Sequence, residues 1–244
     1  MTIRTPGKTA ILAMSTALVM SGGHAAAQDD NTANQQEDPN AQVTTEDTTW
    51  VDITTWNAQA IYDGWSADFL LDEDAYNAEG EEIGEVEDLI IGPDGMIQKV
   101  IVETGGLLDL GDKHAAIPWD DVTRVGTSSI RVDVEGDSLQ GYGRFPNMDD
   151  LPAKPENFRL RNMLGDTVTA AQVGYGTVDD VIFTDAGKIE AVVVYPAYGY
   201  GYRDRPVAVP YNADAYDAYA PYFAVPYTVE ELEDIRPFNY GEFD

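Results

Sequence analysis

Two stretches of this chain share one rhythm of apolar and polar positions. Residues 83–91 place Ile, Val, Leu and Ile at near-strand spacing. Gly92-Pro93-Asp94-Gly95 follows as a strong turn signal, and residues 96–102 form a second run rich in β-branched side chains. Two such runs around a Gly/Pro/Asp turn predict a β-hairpin, because those turn residues supply the unusual backbone angles and the branched side chains suit a pleated surface. The order returns at residues 177–183, a turn through Thr184-Asp185-Ala186-Gly187, and residues 188–194. A third strand is predicted at 113–119, with its counterpart at 206–211. Pro118 and Pro210 near their ends fit a strand end or edge, since proline donates nothing to a ladder. Residues 129–134 read as one more strand. Helix signals are sparse: a short turn at 212–220, and a capping box at Thr228-Val229-Glu230-Glu231 opening a short helix.

The rhythm is a true internal repeat. Sliding the chain by 92 positions lays residues 84–120 on 176–212 without a gap, with 11 identities in 37 positions. Gly84 falls on Gly176, Asp88 on Asp180, Gly95 on Gly187, Val100 on Val192 and Pro118 on Pro210; Trp119 falls on Tyr211. With its flanks, each copy is the size of a small domain.

The first copy resembles a PRC-barrel domain in three segments: Gly80 through Ile91, Asp94 through Val102, and Gly105-Gly106-Leu107-Leu108-Asp109-Leu110-Gly111-Asp112-Lys113 followed by Ile117-Pro118-Trp119. The second copy is similar but drifted. It keeps Leu164-Gly165, Gly176, Gly187 and Val209-Pro210, and replaces the Gly-Gly segment with Tyr195-Pro196-Ala197-Tyr198-Gly199-Tyr200-Gly201-Tyr202. The resemblance implies a mainly β chain of two tandem small antiparallel PRC-barrel-like β-barrels with short peripheral helices. Known members of that family include the cytoplasmic domain of a photosynthetic reaction-centre subunit and a ribosome-maturation factor. They act as interaction or assembly modules, and the resemblance carries over no catalytic residue.

Residues 1–27 read as a secretory signal peptide: Arg4 and Lys8 in a basic start, an apolar run at 9–20 shorter than the ~20 residues of a spanning helix, and Ala25-Ala26-Ala27 before the cleavage point. The expected product is soluble, periplasmic or secreted, with no transmembrane segment in its mature form. Residues 28–60 read as an acidic disordered linker and lead-in. Residues 61–144 are then the first PRC-barrel-like domain, 145–157 a proline-containing linker, and 158–244 the second domain. Trp50, Trp56, Ile61, Tyr62 and Trp65 in and just after the lead-in are expected to pack onto the first domain.

Charge narrows the partners. The chain carries 44 acids against 14 Lys and Arg, for a net charge of −30. Between Gln28 and Gln98 there are nineteen acids and no base. Such a surface repels phosphate, which excludes nucleic acid as a partner and leaves a protein or another envelope component, with weak divalent-cation association as a second reading. Most of the acids are expected at turns and strand edges, solvated.

Catalytic chemistry is poorly supplied. After the leader there are one His (His114), four Ser and, as in the whole chain, no Cys. That excludes disulfides, thiolate chemistry and a His/Cys zinc site, and no Ser sits in a nucleophile elbow. His114 reads as a partly buried strand residue. The acidic run at 72–82 fails the EF-hand spacing, because Tyr76 and Asn77 stand at its fifth and sixth positions. No cofactor is expected, and the chain is read as a non-enzyme, a binding or assembly module of the cell envelope. The alternatives are an acidic cation-binding or stress-protective protein, and a carboxylate-dependent enzyme on envelope polysaccharide. The candidate partner-binding face is Tyr195, Tyr198, Tyr200, Tyr202, Arg203 and Arg205. It belongs to a run of nine tyrosines between Tyr195 and Tyr227 that serve either as packing or as a binding surface.

Overall fold

Each copy of the repeat builds its own sheet. The computed structural model describes residues 50–104, 113–134, 139, 141–145, 157–197, 205–217 and 222–243. The first copy supplies β1 (Trp65–Ser66), a single helical turn α1 (Ala67–Leu70), β2 (Asp74–Tyr76), β3 (Glu82–Ile91), β4 (Ile97–Thr104), β5 (Lys113–Pro118), β6 (Val122–Val125), β7 (Ser129–Val132) and β8 (Gly143–Phe145). The second supplies β9 (Phe158–Arg159), a matching turn α2 (Leu160–Met163), β10 (Thr167–Ala170), β11 (Val173–Phe183), β12 (Ile189–Pro196), β13 (Val207–Pro210), β14 (Tyr216–Asp217), β15 (Tyr222–Val225) and α3 (Val229–Asp234). The two predicted hairpins are β3–β4 and β11–β12, and α3 opens on the capping box read from the sequence.

The sheets are open. Their strand orders are β6-β7-β2-β3-β4-β5-β8 and β13-β12-β11-β10-β15-β14, and among the described residues neither path returns to pair its last strand with its first. The sequence predicts closed, antiparallel barrels; instead the sheets are open and each carries a parallel pairing, β2 with β7 and β10 with β15. The end strands hold two to four residues each, too few to carry a ladder around, and the inner faces bury themselves differently. Apolar side chains of both sheets, including Val86, Leu89, Val178 and Phe183, join one continuous cluster. Trp119 of the first copy meets Phe183 of the second edge-on at 5.4 Å.

The lead-in segments are exchanged. On one edge of β3, β2 pairs with residues near its start, and β9 of the second copy pairs with Ile90 and Ile91 at its end. On β11 the arrangement repeats: β10 takes the start, and β1 of the first copy pairs Trp65 with Phe183 and Ser66 with Ile182. Ile61 and Tyr62 pack with Ile182, Ala191, Val193, Ala208 and Phe238. The lead-in thus lies on the second copy's sheet, not the first's, because the unfilled half-edge of β11 accepts it.

The hairpin turns are also reciprocal. Ile97 donates its N–H to the Gly187 carbonyl at 2.7 Å, and Ile189 donates to the Gly95 carbonyl at 3.0 Å. Both glycines are left-handed, with φ of +72° and +79°, and a Cβ would stand 2.7 Å from a ring carbon of Tyr211 at Gly95 and of Trp119 at Gly187. Glycine is required at both by backbone angle and by space.

Candidate functional site

The sheet registers assemble a row that the sequence spacing does not reveal. Tyr195 of β12 is opposite Thr177 of β11, Thr177 opposite Thr167 of β10, and Thr167 opposite Tyr222 of β15. Opposite residues of neighbouring strands share a face, so the four form one line across four strands, roughly 14 Å long at ~4.8 Å per strand. All four are exposed, with Tyr195 at 40% and Tyr222 at 41%. Thr169 and Ala224, the next paired residues on that face, are half-buried. Beneath the line the intervening residues Val168 and Phe223 are buried and join the core. None of the six is charged.

The nine tyrosines separate by role. Tyr211 stacks on Phe223 with the ring planes 7° apart, and burial pushes its phenol well above the usual range. Tyr216 packs against Phe158 at 4.6 Å and donates to Asp166 Oδ2 at 3.1 Å. Tyr227 is buried, donates to the Val51 carbonyl at 2.8 Å, and is pushed up to about 12 by burial. These three are packing residues, whereas Tyr195 and Tyr222 face out. Tyr198, Tyr200, Tyr202, Arg203 and Tyr219 lie outside the described residues. Arg205 is exposed and, continuing the β12–β13 register, falls beside Pro196, one residue out of phase with Tyr195. Arg205 and Pro196 line a recess of ≈ 20 Å³ together with Tyr175 and Glu233, room for about one water. Tyr222 lies outside the candidate face that the sequence suggests. Its tie to Tyr195 depends on two intervening strands, and no local signal carries it.

A cleft of ≈ 390 Å³ opens between the lead-in and α3, with Ile53, Trp56, Ala208 and Ile235 among its apolar lining. Two of the three charges on its rim have structural partners: Glu231 closes the capping box with Thr228, and Arg236 binds Glu242 and Gln59. In the acidic run, Asn77 accepts the Glu81 N–H and donates to the Glu81 carboxylate, so the loop is closed by its own bonds. Among the described residues no three His, Cys, Asp or Glu side chains are placed to hold a metal ion. His114 is buried in β5, 4.0 Å from Glu103.

Two acids depart from the solvated reading. Asp88 and Asp180, aligned by the repeat, are both 0% exposed. Each follows a β-bulge, at Glu87 and at Asp179, that turns it away from the core-facing residues Val86 and Leu89, or Val178 and Val181. The exchanged segments then cover them. Asp88 accepts from Arg159 Nε at 2.7 Å and from the Arg161 N–H at 3.1 Å. Asp180 accepts from the Ser66 hydroxyl at 2.6 Å and the Asp68 N–H at 2.9 Å. Both also accept the N–H of the residue that follows them.

A duplicated, exchanged pair of mainly antiparallel sheets, each with one parallel pairing, β2 with β7 and β10 with β15, defines the class: a tandem β-module protein. The chain belongs to the PRC-barrel family, matching the PRC-barrel domain over residues 67–139 and again over 155–232, together more than half its length. No curated protein matches it in sequence. Among solved structures it is similar to a crystal structure titled as a 16S ribosomal RNA processing protein, RimM, from Pseudomonas aeruginosa, at 18% identity, covering 59% of this chain and 98% of that one, with a TM-score of 0.24. A TM-score that low carries no argument about function. Among the described residues, no helix is long and apolar enough to cross a membrane.

Proposed function

We propose that this chain is an exported, non-catalytic binding or assembly module of the cell envelope. In this reading its two PRC-barrel domains act as one scaffold, and it meets a protein or other envelope component through the face bearing Tyr195, Thr177, Thr167 and Tyr222. The observation that carries the reading is the character of that face. In a chain with 44 acids and a net charge of −30, an exposed row across four strands without a charge is the place where desolvation on binding costs least. Tyrosine adds a rigid apolar ring with a hydroxyl at its tip, so contact area comes at little entropy cost. Export rests on the basic start, short apolar run and alanines of residues 1–27. The lack of Cys and the single His after the leader support a non-catalytic role.

The test is affinity capture from envelope extract with the wild-type chain and with a Tyr195→Ser/Tyr222→Ser variant, at several salt concentrations. The same component should be retained by the wild type and lost at least about tenfold by the variant, while the melting temperature stays within the range of ordinary surface substitutions. Equal retention by both chains, or no component retained by either, overturns the reading.

A further inference from the structure

The two exchanged segments are held by equivalent buried carboxylates whose partners differ in charge. Ser66 and Arg159 occupy the same place: each ends the short strand that pairs with the other copy, opposite Ile182 and Ile90, and each is the residue before a single-turn helix. At Asp88 that position supplies a guanidinium in an ion pair of 2.7 Å. At Asp180 it supplies a hydroxyl at 2.6 Å. The remaining donors to Asp180 are neutral backbone groups, the N–H of Asp68 at 2.9 Å and of Val181 at 2.7 Å.

Among the described residues, no packed element brings a positive charge to Asp180. From β1 and α1 come the Ser66 hydroxyl and the Asp68 carboxyl. Its own strand contributes Asp179, and the C-terminal turn Tyr240–Glu242 contributes Tyr240, whose hydroxyl donates to Asp179 Oδ2 at 3.0 Å. Across the sheet its partner on β12 is Val193. Among the described residues no ion pair reaches Asp180. An ionised carboxylate there is a buried charge beside two further acids, compensated by three hydrogen bonds alone, and two of the three come from the segment it secures.

We propose that Asp180 is a proton-controlled latch: neutral, it holds β1 and α1 on β11, and ionised, it weakens that hold so that the segment opens locally. Both states keep the contact to Ser66. The hydroxyl donates to the carboxylate, and the protonated carboxyl donates to the hydroxyl oxygen. What changes is the cost of keeping the group out of water. Burial pushes the carboxyl from its ordinary 3.8 to about 7, the three hydrogen bonds oppose the shift and the Asp68 carboxyl adds to it. The closed latch therefore binds its proton more tightly than the opened one. Its stabilising effect is full below the ordinary value near pH 4, declines as the pH rises, and is lost once the pH passes about 7. At Asp88 the Arg159 guanidinium supplies the counter-charge, so the segment beginning at β9 is held by an ion pair.

Amide hydrogen exchange of the full chain, read residue by residue from pH 5 to 8 and corrected for intrinsic rates, tests this. The Asp68 amide reports the latch, and the Arg161 amide, bound to Asp88, is the internal reference. The opening constant at Asp68 should rise by up to about tenfold per pH unit and level off near pH 7, outpacing the change at Arg161. Asp180→Asn should remove most of the rise, leaving only the part due to the Asp68 carboxyl, which burial and Asp179 also push up. Ser66→Ala, which deletes a bond favouring the charged form, should move the levelling-off to higher pH. Parallel behaviour of the two amides in the wild type, persistence of the full rise in Asp180→Asn, or an unmoved transition in Ser66→Ala each overturns the proposal. The wild-type and Ser66→Ala results decide it even if Asp180→Asn fails to fold.

Discussion

Ile97 and Ile189 stand 92 positions apart and each donates its backbone N–H to the turn glycine of the other copy, Ile97 to Gly187 at 2.7 Å and Ile189 to Gly95 at 3.0 Å. The hairpin tips are therefore not free loops. They form a contact between the two copies, with Trp119 packed over one and Tyr211 over the other.

Substitution at these tips should be costly for two separable reasons. Gly187→Ala and Gly95→Ala each force a Cβ into a left-handed residue and against a ring 2.7 Å away, and should destabilise by about 2–4 kcal/mol in urea unfolding. Gly80→Ala is the control: φ is +82° but nothing lies within 4 Å of its Cβ, so only the backbone cost of about 1 kcal/mol should appear.

Removing the cation that pairs with Asp88 should hurt more than removing an ordinary surface arginine. Arg159→Met leaves the buried Asp88 carboxylate without its counter-charge and should cost about 3 kcal/mol, because breaking a buried pair strands the remaining charge. Arg131→Met, at an exposed strand position, should stay within about 0.5 kcal/mol by the same measurement.

The exchange predicts mutual dependence of the halves. A chain cut between residues 146 and 156 separates β1 and α1 from the sheet they complete, and β9 and α2 from theirs. Each fragment alone would expose part of the common core, with Trp65 and Phe183 left on different pieces. Either fragment alone should lack the cooperative melting of the intact chain, and mixing them should restore a one-to-one complex with near-native circular dichroism. Two halves that melt cooperatively by themselves would show that the exchanged strands are dispensable.

Much of the local structure was legible because it depends on short-range chemistry. The turns at 92–95 and 184–187 and the β-branched runs beside them specify hairpins whatever surrounds them. The Thr228-to-Glu231 capping box likewise appears at the start of α3. The helical turns α1 and α2, four residues each, leave no signal in the sequence because they are too short to show a helical period. The buried acids leave none either, because position alone marks Asp88 as a polar residue facing outward. Only the segment exchanged from the other copy seals it from water.

By itself, then, the sequence settled the periodic and covalent facts: the duplicated pattern, the glycines that turning backbone demands, the absence of Cys and the negative charge. Those follow from each residue and its near neighbours. Which half-edge each lead-in fills, which tyrosines face out, and how two open sheets join one core were decided by the tertiary structure. Such choices depend on burying apolar surface and pairing backbone groups across about a hundred residues, and no short window of sequence contains both partners.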